Sequence, residues 1–246
     1  MTPGGIAVIG DMQRTLEIER RILGRPQLDW VRTRIQTSLL LQPPAVLILN
    51  GDLNALGSSK SHWSLWDHWA APLLRSGIKI LPVMGNHDYL WRKCLAIRNF
   101  QRRFPEFELP LWYSCRQGKC ALVILDSNHR VLSAEAWRSQ TVWFECELAR
   151  YEADPSVYWI QVFSHHSPHK FKSLGVHRRL FSLSPKARSW VSGHEHLQYR
   201  HREFEKEWLV WGGGGGPPHG GGNSKFGYFL GQEQGDRWSW KEVGVK

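Results

Sequence analysis

Short apolar runs alternate with longer amphipathic stretches along most of the 246-residue chain, the pattern of an α/β layered domain. Ile6 to Ile9, Ala45 to Leu49, Lys79 to Val83, Cys120 to Leu125 and Val157 to Phe163 are predicted as strands. Ser189 to Val191, Glu207 to Trp211 and Phe226 to Leu230 read as further strands. Between them, Leu16 to Leu23, Trp30 to Leu41, Trp63 to Leu74 and Ser133 to Arg150 have the character of helices. Pro43-Pro44 stops the second of these, and Ser133 is placed to cap the last, with Glu135 in its first turn. Phe104 to Gly118 is rich in Pro and aromatic residues and reads as irregular. Gly212 to Gly216, with Gly220 to Gly222 nearby, lies between two apolar runs, which favours a loop with positive φ and close backbone approach over a linker. No internal repeat is visible, and a single domain over residues 1–246 is expected.

The polar residues that follow these strands carry the chemistry. Five strand exits read Gly10-Asp11-Met12-Gln13, Gly51-Asp52, Gly85-Asn86-His87-Asp88, His165-His166-Ser167-Pro168 and Gly193-His194-Glu195-His196. Carboxylates, carboxamides and imidazoles ligate divalent transition metals, and thiolates are absent from the set, which favours manganese, iron or zinc. Singly, each segment has a plainer explanation: Asp11 or Asp52 as a turn residue, His87 as a surface histidine. In this order, all at strand exits, they point to a two-metal hydrolytic centre. Two neighbouring cations need a shared oxygen ligand, and Asp52 is the candidate bridge. Asp126-Ser127-Asn128 reads instead as an Asx-type turn closing its strand.

Composition narrows the class. The 41% hydrophobic and 22% charged content is that of an ordinary soluble protein, and no run approaches the roughly 18 apolar residues of a membrane helix. Without a basic, apolar leader at the N-terminus, a cytoplasmic location is expected. The four cysteines are expected to be buried or semi-buried free thiols. A net charge of +10 attracts anions, but the arginines are dispersed, so a solvated basic surface is the expectation. Most of the fourteen tryptophans are assigned to core and rim packing. Arg14 could reach a substrate phosphate or simply sit at a helix start, and His169, His177, His201 and His219 are given no role.

The five segments in this order resemble the calcineurin-like metallophosphoesterases, a superfamily that includes the purple acid phosphatases and many phosphodiesterases. Gly85-Asn86-His87-Asp88 and Gly193-His194-Glu195-His196 are the most specific elements. Leu125-Asp126-Ser127 with the Gln140-to-Trp143 helix, and Leu209-Val210-Trp211 before the glycines, are similar to the phosphatase branch. The resemblance implies a four-layer α/β/β/α sandwich of two mixed sheets flanked by helices. It also implies two divalent metal ions, one held by Asp11, Asp52 and His196, the other by Asp52, Asn86, His194 and one of His165 and His166. Alignment of His-x-Pro on Pro168 selects His166 and is preferred; counting from the strand end selects His165. His87 would sit at the scissile phosphate, oriented by Asp88, while a metal-bound hydroxide hydrolyses a phosphate mono- or diester. Two positions depart from the family. Gln13 replaces a common histidine and is read as a ligand or an orienter of ligands; Ala55 replaces the tyrosine of purple acid phosphatases, which argues against an iron–tyrosinate centre. The implied substrate is a phosphorylated small molecule or a phosphoprotein. A nuclease, suggested by the charge, and a catalytically silent binding protein, suggested by Gln13, are the alternatives.

Overall fold

A computed structural model describes residues 5–218 and 225–246. In chain order the elements are β1 (Ile6–Ile9), α1 (Glu17–Leu23), α2 (Asp29–Leu41), β2 (Val46–Asn50), α3 (Lys60–Arg75), β3 (Lys79–Val83), α4 (Lys93–Gln101), β4 (Tyr113–Gln117), β5 (Cys120–Leu125), α5 (Ala134–Ala153), β6 (Trp159–Ser164), α6 (Gly175–Leu183), β7 (Ala187–Ser192), β8 (Gln198–Glu203), β9 (Lys206–Trp211), β10 (Gly227–Gln234) and β11 (Arg237–Gly244). The strands form two sheets, ordered β11-β10-β1-β2-β3 and β4-β5-β6-β7-β9-β8. Both are mixed. β1, β2 and β3 run parallel while β10 and β11 run antiparallel, and β4 and β8 are antiparallel edges on the parallel strands β5, β6, β7 and β9.

The period of two along each strand divides its side chains between two cores. Ile6 and Val8 of β1 face Leu122 and Ile124 of β5 between the sheets, whereas Ala7 and Ile9 pack under Val31, Ile35 and Trp63 of α2 and α3. Ala121, Val123 and Leu125 of β5 turn outward to Phe144 and Leu148 of α5 and Phe181 of α6. Strands buried on both faces read as continuous apolar runs, which is why β1, β2 and β5 are plain in the sequence. The result is the expected four-layer sandwich, helices outside and two sheets within.

Several elements are not marked by the apolar pattern. β4 lies inside the stretch read as irregular, and β8 and β11 are half-exposed, polar edge strands without an apolar run. Pro82 is accommodated because β3 is itself an edge strand. Ser133 does cap α5, its Oγ accepting from Ala136 N at 3.1 Å. All four cysteines are free, but Cys94 and Cys146 are exposed, on the outer faces of α4 and α5, rather than buried or semi-buried as expected. Among the described residues no helix is long and apolar enough to cross a membrane.

Candidate metal centre

The parallel course of β1, β2 and β3 brings their exits side by side, and the exits of β6 and β7 face them from the second sheet. Four of the polar residues there hold left-handed backbone: Asp11 (φ 58°), Asp52 (φ 54°), His194 (φ 70°) and His196 (φ 50°). Such conformations are rare outside glycine, and Asp and His are among the residues that tolerate them. Each costs on the order of 1 kcal/mol, so the surrounding packing holds the turns that return these side chains into one pocket. Gly51 and Gly85 clear the space. A Cβ on Gly51, where φ is 88°, would lie 2.3 Å from His165 Nδ1, and one on Gly85 would lie 2.2 Å from Asp52 Oδ1.

Asp52 sits at the middle. Its Oδ1 accepts from His87 N at 2.9 Å and lies 3.3 Å from His165 Nε2, while its Oδ2 accepts from Gln13 Nε2 at 3.1 Å. On one side, Asn86 Oδ1 is 3.1 Å from His165 Nε2 and 2.8 Å from His194 Nδ1. On the other, His196 Nε2 lies 3.3 Å from Asp11 Oδ1 and 3.1 Å from Gln13 Nε2. Asp11 also accepts from His194 N, at 2.8 and 3.0 Å. The structure therefore brings together Asp11, Gln13, Asp52, Asn86, His165, His194 and His196. His166 adjoins them: the donor atoms of His165, His166 and His194 lie within 4.8 Å of one another, as do those of Asp11, Asp52 and His165.

Backbone carbonyls aim the imidazoles. His165 Nδ1 donates to Asn50 O at 3.1 Å, His87 Nδ1 to Ala55 O at 3.0 Å, and His196 Nδ1 to Pro217 O. A carbonyl only accepts, so Nδ1 carries a hydrogen and Nε2 is the ring atom turned toward the pocket. The glycine loop supplies one of these anchors and closes tightly on the centre. Gly216 N donates to Asp11 O at 2.7 Å, and a Cβ on Gly216 would lie 2.9 Å from both Gln13 Oε1 and His196 Cε1. Close approach at Gly212 to Gly216 was the expectation; Gly220 to Gly222 and His219 lie outside the described residues.

Two expectations about the site meet a different arrangement of contacts. Asp88 makes no hydrogen bond to His87 among the described residues: its buried carboxylate accepts from Leu53 N (2.9 Å), Asn54 N (3.2 Å) and Gly85 N (2.9 Å), tying the β2 and β3 exit loops together. The two histidines of the pair also stand differently, and it is the one chosen by counting from the strand end that lies against Asp52 and Asn86. β6 ends at Ser164, and it is His165 whose Nε2 meets Asp52 and Asn86, while His166 Nδ1 is 2.8 Å from Ser127 Oγ.

Several further participants carry no sequence signal. The anchoring groups Asn50, Ala55 and Pro217 act through backbone carbonyls, which every residue has. Buried Arg32 clamps the loops, donating from Nη1 to Met12 O at 3.1 Å and Gly215 O at 2.8 Å. Asn128 N donates to Asp126 Oδ1 at 3.0 Å, the expected Asx turn, which also delivers Ser127 to His166. Arg14 is paired with Asp29 at 2.7 Å.

The electrostatics are those of a cation site. Burial alone would depress His165, but the Asp52 carboxylate, and then Asp11, push it up to about 10. Burial opposes the charge on Asp52, yet His165 and then His87 hold its carboxyl well below the usual range. Burial and the positive His165 depress His166 to about 2 and His194 to about 4. Burial and then the Asp52 charge raise Asp88 to about 7. Two buried carboxylates, a carboxamide oxygen and several ring nitrogens converge without a thiolate, and buried Gln13 Oε1 has no hydrogen-bond partner. That donor set fits divalent transition metals. A cavity of about 560 Å³ opens from the centre; Asn86, His166 and His194 form its inner wall, and Arg130, Lys170, Phe171 and Lys172 its outer wall.

The chain can now be placed among known proteins. The model of the calcineurin-like phosphoesterase family matches residues 5–198. No curated protein matches the sequence. Among solved structures, a dimetal phosphatase from Danio rerio superposes with a TM-score of 0.69 at 14% identity, covering 98% of this chain and 96% of that one. GAP50, the anchor in the inner membrane complex of Plasmodium, gives a TM-score of 0.68 at 11% identity over 97% of this chain and 84% of its own. The purple acid phosphatase PPD1 from yellow lupin seeds gives 0.70 at 16% identity, over 97% of this chain but 51% of its own. Likeness at these identities speaks for the fold, which serves an anchor as well as phosphatases, so the activity rests on the family match. With that match spanning all five strand-exit segments, the chain belongs to the calcineurin-like phosphoesterase family and is a metal-dependent phosphoric ester hydrolase.

Proposed function

We propose that the protein hydrolyses a small phosphorylated substrate at a dinuclear centre bridged by Asp52. The observation that carries this reading is the division of the Asp52 carboxylate: Oδ1 faces the Asn86–His165–His194 group and Oδ2 faces Gln13 in the group with Asp11 and His196. Asp11, Gln13, Asp52 and His196 would hold one divalent ion, and Asp52, Asn86, His165 and His194 the other. Such a pair supplies Lewis acidity at the phosphoryl oxygens and makes water a nucleophile near neutral pH. His87, anchored through Nδ1 on Ala55 O, keeps Nε2 available to hand a proton to the departing oxygen. Asp88 acts one step removed, fixing the loops that carry Asp52 and Asn86. The limited cavity favours a small molecule over a nucleic acid.

Protein reconstituted with manganese, iron or zinc is expected to bind about two ions per chain and to cleave generic aryl phosphate mono- or diesters. His87→Ala should lower kcat by about a hundredfold with metal content intact, whereas Asn86→Ala should lose both turnover and metal. Undiminished turnover in His87→Ala would remove the proton-transfer role.

Metal uptake should also release protons. In the metal-free protein His165 lies at about 10 and carries a proton at neutral pH, which it must give up to coordinate. Calorimetric titrations with metal in buffers of different ionisation enthalpy are expected to report at least about one proton released per chain at pH 7, with affinity rising with pH. A heat independent of the buffer contradicts this.

A further inference from the structure

The outer wall of the cavity carries more positive charge than one phosphoryl group uses. Arg130 follows the β5 exit turn, and Lys170 and Lys172 lie in the loop after β6. Lys170 is paired with Glu195, but Arg130 and Lys172 are exposed and form no ion pair among the described residues. No carboxylate lines this cavity among the described residues. Phe171, its ring centroid 4.4 Å from that of His166, gives the same space an apolar face beside the inner wall.

Resting on the phosphoesterase reading above, we infer that the substrate's leaving group bears a second anionic group, a phosphate or a carboxylate, received by Arg130 and Lys172 while the scissile phosphoryl group occupies the centre. One cavity lining thus joins Asn86, His166 and His194 of the centre, the half-buried Phe171 for an apolar or planar segment, and the exposed cations Arg130 and Lys172. Two uncompensated charges at a solvent-exposed rim add modestly to affinity and weaken in salt, so they select among phosphate esters without providing the catalysis.

The test compares 4-carboxyphenylphosphonate with 4-carbamoylphenylphosphonate, non-hydrolysable probes of nearly equal shape that differ by one charge. Their binding to the metal-loaded protein is measured by calorimetry, beside turnover of the two corresponding phosphate esters. The carboxylate probe is expected to bind about tenfold more tightly, with the preference shrinking in high salt. Arg130→Glu with Lys172→Glu should reverse the preference, a change a merely structural role would not produce. Equal affinity of the two probes, or a preference untouched by the charge reversals, overturns the inference even if both esters are hydrolysed. A retained preference without turnover of either ester supports it and instead sinks the hydrolytic reading.

Discussion

Asp52→Asn is expected to reduce kcat/KM at least about a thousandfold, because on the proposed dinuclear reading the substitution keeps the shape of the side chain and removes its ability to serve two cations. An amide offers one oxygen, and its NH₂ group would face a site that needs a lone pair. Bound metal should fall from about two ions per chain to one or fewer, measurable by elemental analysis of the dialysed protein. The same variant has a signature without metal. His165 is raised from 6.5 to about 10 chiefly by the Asp52 charge working against burial, so the folded state binds that proton more tightly than the unfolded chain. The pair therefore stabilises the metal-free fold fully below about pH 6.5, and that stability is lost as pH rises through about 10. Urea denaturation of the metal-free wild type should show this alkaline decline, and Asp52→Asn should flatten it. Full metal content together with wild-type turnover in Asp52→Asn would exclude the bridge.

Asp88→Ala is expected to destabilise the protein by about 3–6 kcal/mol, a large fraction of a typical domain's stability. The carboxylate is fully buried and is the hydrogen-bond acceptor for Leu53 N, Asn54 N and Gly85 N. Removing it leaves three backbone donors without a partner in a place water does not reach. Asp88→Asn should recover part of the loss, since its oxygen can still serve Leu53 and Asn54 while its NH₂ opposes Gly85 N. Thermal unfolding of the three proteins ranks them directly. A side chain that only aimed His87 would leave the melting temperature near wild type and change kcat alone.

The sequence carried much of this centre. Asp11, Asp52, Asn86 and His194 are legible because each ends a doubly buried strand whose apolar run is conspicuous, and a polar residue there has nowhere else to point. Local pattern left His165 and His166 undecided, because counting from the strand end selects one and the His-x-Pro alignment the other, and β6 runs to Ser164, directly before the pair. Asp88 is a different case. Adjacency to His87 suggested a partnership along the chain, but its partners include the amides of Leu53 and Asn54, over thirty positions away. The edge strands β8 and β11 escaped because exposed pairing needs no apolar signal, and the rim cations because single basic residues on a basic chain do not stand out.

The antiparallel pairing of β10 with β1 has a bearing on how the chain is made. β1 is an interior strand whose neighbour on one side, β10, is encoded more than two hundred positions later. Until β10 and β11 have been made, the nascent chain therefore carries an apolar, unpaired edge on β1, and only the arrival of the closing hairpin covers it. Chains released early by truncation would keep that edge bare, and their expected fate is aggregation rather than weak activity.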